Sequence, residues 1–128
     1  MTPSVQRWSI VIIDFDPAVG HEQQGVRRAL VVSYDAFHRS RMATVCPITS
    51  RAAKYPGEIA IPDSTAGQTL DALVLVHQIR TVDLRRITAF EIGGKAQVVE
   101  DPAIRRKVRA ALAHHLGLDL PASLDGAA

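Results

Sequence analysis

Among its 128 residues the chain has a single cysteine, Cys46. One thiol excludes an internal disulfide and every multi-cysteine zinc pattern, and it suits a protein made for a reducing compartment. Long apolar runs are missing as well. The first one, Ile10 to Ile13, is stopped by Asp14 and Asp16, so neither a signal peptide nor a membrane-spanning helix is expected, and a cytoplasmic location is. The histidines His21, His38, His77, His114 and His115 show no ligand spacing, which argues against a metal site. Gly20 and Gly25 precede a β-rich run rather than a helix, so they do not form a phosphate-cradling loop of the strand-to-helix kind.

What is present describes an ordinary globule. With 47% hydrophobic and 22% charged residues, a chain of this length buries enough surface to fold as one domain. The net charge of +2 conceals a local bias. Before Pro56, seven cations (Arg7, Arg27, Arg28, Arg39, Arg41, Arg51, Lys54) face four anions (Asp14, Asp16, Glu22, Asp35), a balance compatible with a polyanionic partner.

Short β-rich segments bounded by turn residues fill the first three quarters. Residues 9–15 read as a strand that exits at Asp16-Pro17, because proline cannot donate to a sheet ladder. A polar connection over 18–25 leads to a second strand at 29–33, and the two should pair as a hairpin. Residues 34–37 suggest a helical turn. Residues 42–48 form a third strand whose Pro47 suggests an edge or bulge, 58–61 a fourth, and the continuous apolar run at 73–76 a fifth that is buried on both faces. Asp83 should cap a short turn over 84–87.

Near the C-terminus, Asp101 as N-cap, Pro102 at the first helical position and Gly117 at the end delimit one helix. Ile104, Val108, Ala111, Leu112 and His115 form its inward stripe and Arg105, Arg106, Lys107 and Arg109 a basic outer face, with His114 and His115 complementing the helix dipole. The expected fold is mainly β: a small antiparallel, SH3-like barrel with a C-terminal α-helix, spanning 1–118, followed by a flexible tail over 119–128.

The segment Gly20-His21-Glu22-Gln23-Gln24-Gly25-Val26-Arg27-Arg28, taken with Pro47-Ile48-Thr49-Ser50, places two arginines at the mouth of one strand and a Thr-Ser pair at the end of another. Such groups can converge on an oxyanion, although an isolated Arg-Arg pair is also common as a solvated surface feature. These blocks resemble the MazF/PemK-like toxins of type II toxin–antitoxin pairs. So do Asp14-Phe15-Asp16-Pro17, Tyr55-Pro56-Gly57-Glu58 and Val76-His77-Gln78-Ile79-Arg80-Thr81-Val82-Asp83, all in the family's order over about residues 9–116.

The resemblance implies a barrel of the plasmid-addiction type (CcdB/MazF-like), a homodimer, a cognate antitoxin, and sequence-specific cleavage of single-stranded RNA without metal or cofactor. It also assigns catalysis to Arg27 and Thr49. One departure stands out: the family commonly has proline where this chain has Arg28. RNA supplies its own nucleophile, the 2′-OH, so attack yields a 2′,3′-cyclic phosphate and a 5′-OH; Arg27 can grip two phosphate oxygens and Thr49 can donate to a developing oxyanion.

A guanidinium is poorly matched to proton transfer at neutral pH, which leaves Glu22 and His21 as the nearby proton acceptors. Glu22 reads equally well as a loop carboxylate paired with an arginine, and His21 as a solvated loop residue. Gln78 is a candidate for reading a base, Arg80 for holding phosphate and Ser50 for a supporting hydrogen bond, while Asp16, Gln23 and Arg28 complete the substrate-binding set. Trp8 and Phe15 could stack bases or belong to the core or a dimer interface. Because fold does not dictate function, two other readings stand beside the enzyme: a non-catalytic SH3-like binding module, and a gyrase poison of the same barrel superfamily.

Overall fold

The computed structural model describes residues 5–51, 53–55, 57–62 and 72–118. The expected tail over 119–128 lies outside the described residues. In chain order the strands are β1 (Ser9–Asp14), β2 (Val26–Val31), β3 (Met42–Thr49), β4 (Glu58–Ile61), β5 (Ala72–Leu75), β6 (Arg80–Asp83), β7 (Ile87–Ala89) and β8 (Gln97–Val98), and the helix is α1 (Pro102–His115). All strand pairs are antiparallel, in the spatial order β4-β5-β3-β2-β1-β7, with β6 also on β3 and β8 also on β1.

The hairpin forms as expected, but its second strand is Val26–Val31 rather than 29–33. The strand expected at 42–48 runs one residue further to Thr49, and the strand at 58–61 and the capped helix follow the sequence pattern. Asp101 Oδ1 accepts from Ala103 N at 2.8 Å, and Gly117 takes the positive φ of 69° that ends the helix. The expected helical turn is a 3-10 segment, Asp35–Ser40. The apolar run at 73–76 forms most of β5, and Val76 opens a 3-10 turn, Val76–Gln78. Three further strands, β6 to β8, are two to four residues long. They carry too little alternation to be read in isolation and exist because β3 and β1 offer them paired edges.

Alternation along the central strands separates two cores. Ile10, Leu30, Cys46, Ile48 and Val74 point to one face, where Ile104 and Val108 of α1 cover them. Val11, Ile13, Phe15, Ala29, Val31 and Val45 point to the other. Burial pushes the Cys46 thiol up to about 12, so it serves as a small apolar filler.

The helix corrects part of its expected pattern. His115 is exposed rather than inward. Arg105 and Arg109 do not project outward with Arg106 and Lys107; their guanidinium carbons lie 5.4 and 5.2 Å from the Trp8 ring centroid, and Arg105 Nε donates to Val99 O at 2.7 Å. Trp8 is thereby buried in the core, and Phe15 is fully buried.

Pro47 is an interior residue of β3, opposite Ala29 of β2. On the other side of β3 the ladder with β6 ends at Val45 and the ladder with β5 begins at Ile48, so the proline occupies the step where the strand changes partner. Replacing fully buried Leu30 by alanine should destabilise the fold by about 2–5 kcal/mol, and Asp101→Ala by about 1 kcal/mol, in urea-unfolding midpoints. A Leu30→Ala cost below that of the cap would contradict the two-core description.

Candidate functional site

Strand register decides which polar groups share a face. β2 and β3 pair Ala29 with Pro47, Leu30 with Cys46 and Val31 with Val45. The ladder ends at Ala29 and Pro47, and by alternation Arg27 and Thr49, two positions beyond, fall on the face of that pair and away from α1. On that face Thr49 is paired with Leu73 of β5, and Leu75 with Glu58 of β4. Arg27 is exposed and Thr49 half-buried. Arg27 Nε donates to Gln24 O at 3.1 Å, which orients the guanidinium by one edge. Arg28 alternates to the opposite face, half-buried across from Ile12, so it is not brought to the Arg27 side.

Next to this pair lies an open cavity of about 800 Å³, within the usual range for ligand sites. Phe15, Pro47 and Leu75 form apolar lining, His21, Glu22 and Gln23 come from the β1–β2 loop, Arg51, Lys54 and Tyr55 from the β3–β4 loop, and His77 to Arg80 from the segment before and into β6. Arg27 and Thr49 stand beside this lining, one alternate position beyond Pro47. Arg80 stacks its guanidinium 5.8 Å from the Phe15 ring centroid. Ser50 is exposed at the end of β3.

The β1–β2 loop is fixed by hydrogen bonds from both sides. Phe15 N donates to Gly25 O at 2.9 Å, Gly25 N to Asp16 Oδ1 at 3.0 Å and Val19 N to Glu22 Oε1 at 2.6 Å. Gln78 Oε1 accepts from Gln23 N at 2.7 Å, and its Nε2 lies 3.4 Å from His21 O. Arg86 Nη1 donates to Asp16 O at 2.6 Å and Asp14 O at 3.3 Å. Gln78 and Asp16, expected among the substrate contacts, each tie down the β1–β2 loop, and Gln78 also lines the cavity. Arg86 had no sequence signal beyond its place in the Leu84–Arg86 turn, which Asp83 caps as expected by accepting from Arg85 N at 2.8 Å.

The second loop is held by a group the sequence did not single out. Glu58 is buried, and its carboxylate accepts from Lys54 N at 2.5 Å, Tyr55 N at 3.1 Å and Arg51 Nη1 at 3.0 Å, with a further ion pair to Arg51 Nη2. The Arg51 guanidinium, then the two backbone donors, hold the Glu58 carboxyl down at about 2 against the cost of its burial. The loop's Tyr55 ring is 57% exposed and sits edge-on to His77, with ring centroids 5.3 Å apart.

Among the described residues, no group of three or more His, Cys, Asp or Glu side chains could hold a metal ion. No described helix is long and apolar enough to cross a membrane.

The comparisons with known proteins agree with one another. Residues 6–116 match the model of the PemK-like, MazF-like toxin of type II toxin–antitoxin system. The endoribonuclease toxin ChpB of Escherichia coli (strain K12) is 41% identical over 104 residues, covering 79% of this chain and 89% of its own. The crystal structure of MazF from Deinococcus radiodurans superposes with a TM-score of 0.76 at 30% identity, over 91% of this chain and 100% of that one. A MazE–MazF crystal structure from the same organism gives a TM-score of 0.70 at 29% identity, over 92% and 100% of the two chains.

Since the Glu58 carboxyl titrates lower when folded than when unfolded, its stabilisation is complete above about pH 4.5 and is lost as pH falls through about 2. Glu58→Gln should therefore cost about 3 kcal/mol at pH 7 and show a flatter fall in melting temperature than the parent between pH 5 and pH 2. Parallel pH profiles would remove the Arg51–Glu58 pair from this role.

Proposed function

The chain belongs to the PemK-like, MazF-like toxins of type II toxin–antitoxin systems, and from that premise we propose that it cleaves single-stranded RNA through Arg27 and Thr49. The observation that carries this reading is the register that puts both residues on one face, beside a cavity with cationic walls.

In the proposed reaction the ribose 2′-OH attacks the adjacent phosphorus in line with the departing 5′-oxygen. Its proton passes to Glu22, the carboxylate on the cavity wall, and the O5′ leaving group is protonated from solvent. The products are a 2′,3′-cyclic phosphate and a 5′-OH. Arg27, tethered through Nε, offers its Nη donors to the non-bridging oxygens as charge builds in the phosphorane, and the Thr49 hydroxyl donates to the same group. Each such preorganised donor is worth on the order of 10²–10³ in rate. Lys54 and Arg80 line the cavity along which flanking phosphates would run. The reaction needs no metal or cofactor, because nucleophile and leaving group both belong to the RNA.

The same reading extends to partners and place. MazE–MazF complexes are among the solved relatives, and a cognate antitoxin that covers this groove with an acidic or apolar segment would silence the enzyme. We propose a homodimer acting in the cytoplasm, where its substrate is. The non-catalytic module predicts RNA affinity without turnover, and the gyrase poison predicts neither.

Incubated in excess chelator, the protein should cut a long mixed-sequence RNA at a limited set of sites and leave 2′,3′-cyclic phosphate ends. Arg27→Ala and Thr49→Ala should each slow single-turnover cleavage by about 10²–10³ while thermal melts stay unchanged, since neither side chain is in a core. Uncut RNA, or 3′-OH ends, would refute the mechanism.

A further inference from the structure

We propose that Tyr55 and His77 form a shelf on which one unpaired base of the RNA stacks, next to the phosphate held by Arg27 and Thr49. The inference rests on the ribonuclease reading and adds to it a base-binding subsite.

Tyr55 is 57% exposed and belongs to the cavity lining, so its side chain is open to a ligand there. Three contacts position it. Its backbone N donates to buried Glu58, its carbonyl accepts from Glu58 N at 3.1 Å, and its ring meets His77 edge-on at 64°. A buried carboxylate with its own arginine thus holds the Tyr55 backbone at the cavity wall, and His77 braces the ring by its edge. The arrangement leaves the face of the tyrosine ring turned from His77, a flat apolar surface of the kind on which unpaired bases stack.

The neighbours fit the same occupant. Lys54 precedes the ring and lines the cavity with it, so a phosphate attached to the stacked base meets a cation. Pro47, in the same lining, lies two residues before Thr49 on the same sheet face. The shelf therefore shares its cavity with a residue of the strand that carries Thr49 rather than standing on a remote surface. Stacking tolerates any base, so the shelf sets affinity and the position of the strand, while hydrogen bonds elsewhere set base identity.

The test uses two RNAs of one mixed sequence, natural and fully 2′-fluoro, the latter lacking the nucleophile and surviving incubation. Tyr55→Ala should weaken binding of the 2′-fluoro RNA roughly 5- to 150-fold, the stacking of one base converted at 1.4 kcal/mol per tenfold. It should raise KM for the natural RNA with little change in kcat. Tyr55→Phe and Tyr55→Trp should restore both within about twofold, and the melting temperature of all three should match the parent. Binding and KM within twofold of the parent for Tyr55→Ala would overturn the shelf. So would unchanged RNA binding with weakened binding of an acidic peptide, which would give the surface to a protein partner. If the parent binds the 2′-fluoro RNA and shows the Tyr55 dependence but never cuts the natural one, the shelf stands and the ribonuclease reading falls.

Discussion

The pairing of Ala29 with Pro47 is the constraint on which the site depends. β2 and β3 lie in the middle of the sheet with an apolar core against each face, so a one-residue slip would exchange the two sets and force Leu30 and Cys46 into the space shaped for Ala29 and Val31. The hydrophobic pattern therefore fixes the register without reference to chemistry. Given that register, the polar residues at the ends of the strands have no freedom of side: Arg27 and Thr49 share a face, and Arg28 takes the other. Arg28, where the resemblance leads one to expect proline, thus lies on the face of Leu30 and away from the Arg27 side.

Around that rigid pair the chain builds two loops and immobilises each with a different chemistry. The β1–β2 loop is tied by neutral amide and backbone contacts through Gln78 and by the charged fork of Arg86. The β3–β4 loop is tied by a buried carboxylate that satisfies two backbone N–H groups and an arginine at once. A lone buried charge would cost several kcal/mol, so the Glu58 arrangement holds only while every donor is in place. Both loops carry residues that line the cavity, and fixing them before substrate arrives reduces the ordering cost of binding.

Where the determinants were local, the fold was legible from the sequence. Turn residues framed the hairpin, an aspartate and a proline opened the helix, and continuous apolar composition marked β5. The short strands β6 to β8 were not legible, because Arg80–Asp83, Ile87–Ala89 and Gln97–Val98 are strands only by virtue of partners far away in sequence. A helical wheel put Arg105 and Arg109 outside, and only the tertiary placement of Trp8 turns them inward. In the site, family-like motifs identified Arg27, Thr49, His21, Glu22 and Gln78 as worth attention. They gave no sign that Gln78 and Asp16 also use polar atoms to shape the β1–β2 loop. Glu58 was invisible as a structural hub because its partners Arg51, Lys54 and Tyr55 converge only when the loop folds back.

The central claim is that one guanidinium and one hydroxyl act on the same phosphate. Single-turnover cleavage at one site by the parent, by Arg27→Ala, by Thr49→Ala and by the double variant tests it most directly. Groups sharing a reacting centre predict a double variant distinctly less impaired than the product of the single losses, a coupling of about 0.5–3 kcal/mol. Losses that multiply, as for two residues working at separate places, would contradict it.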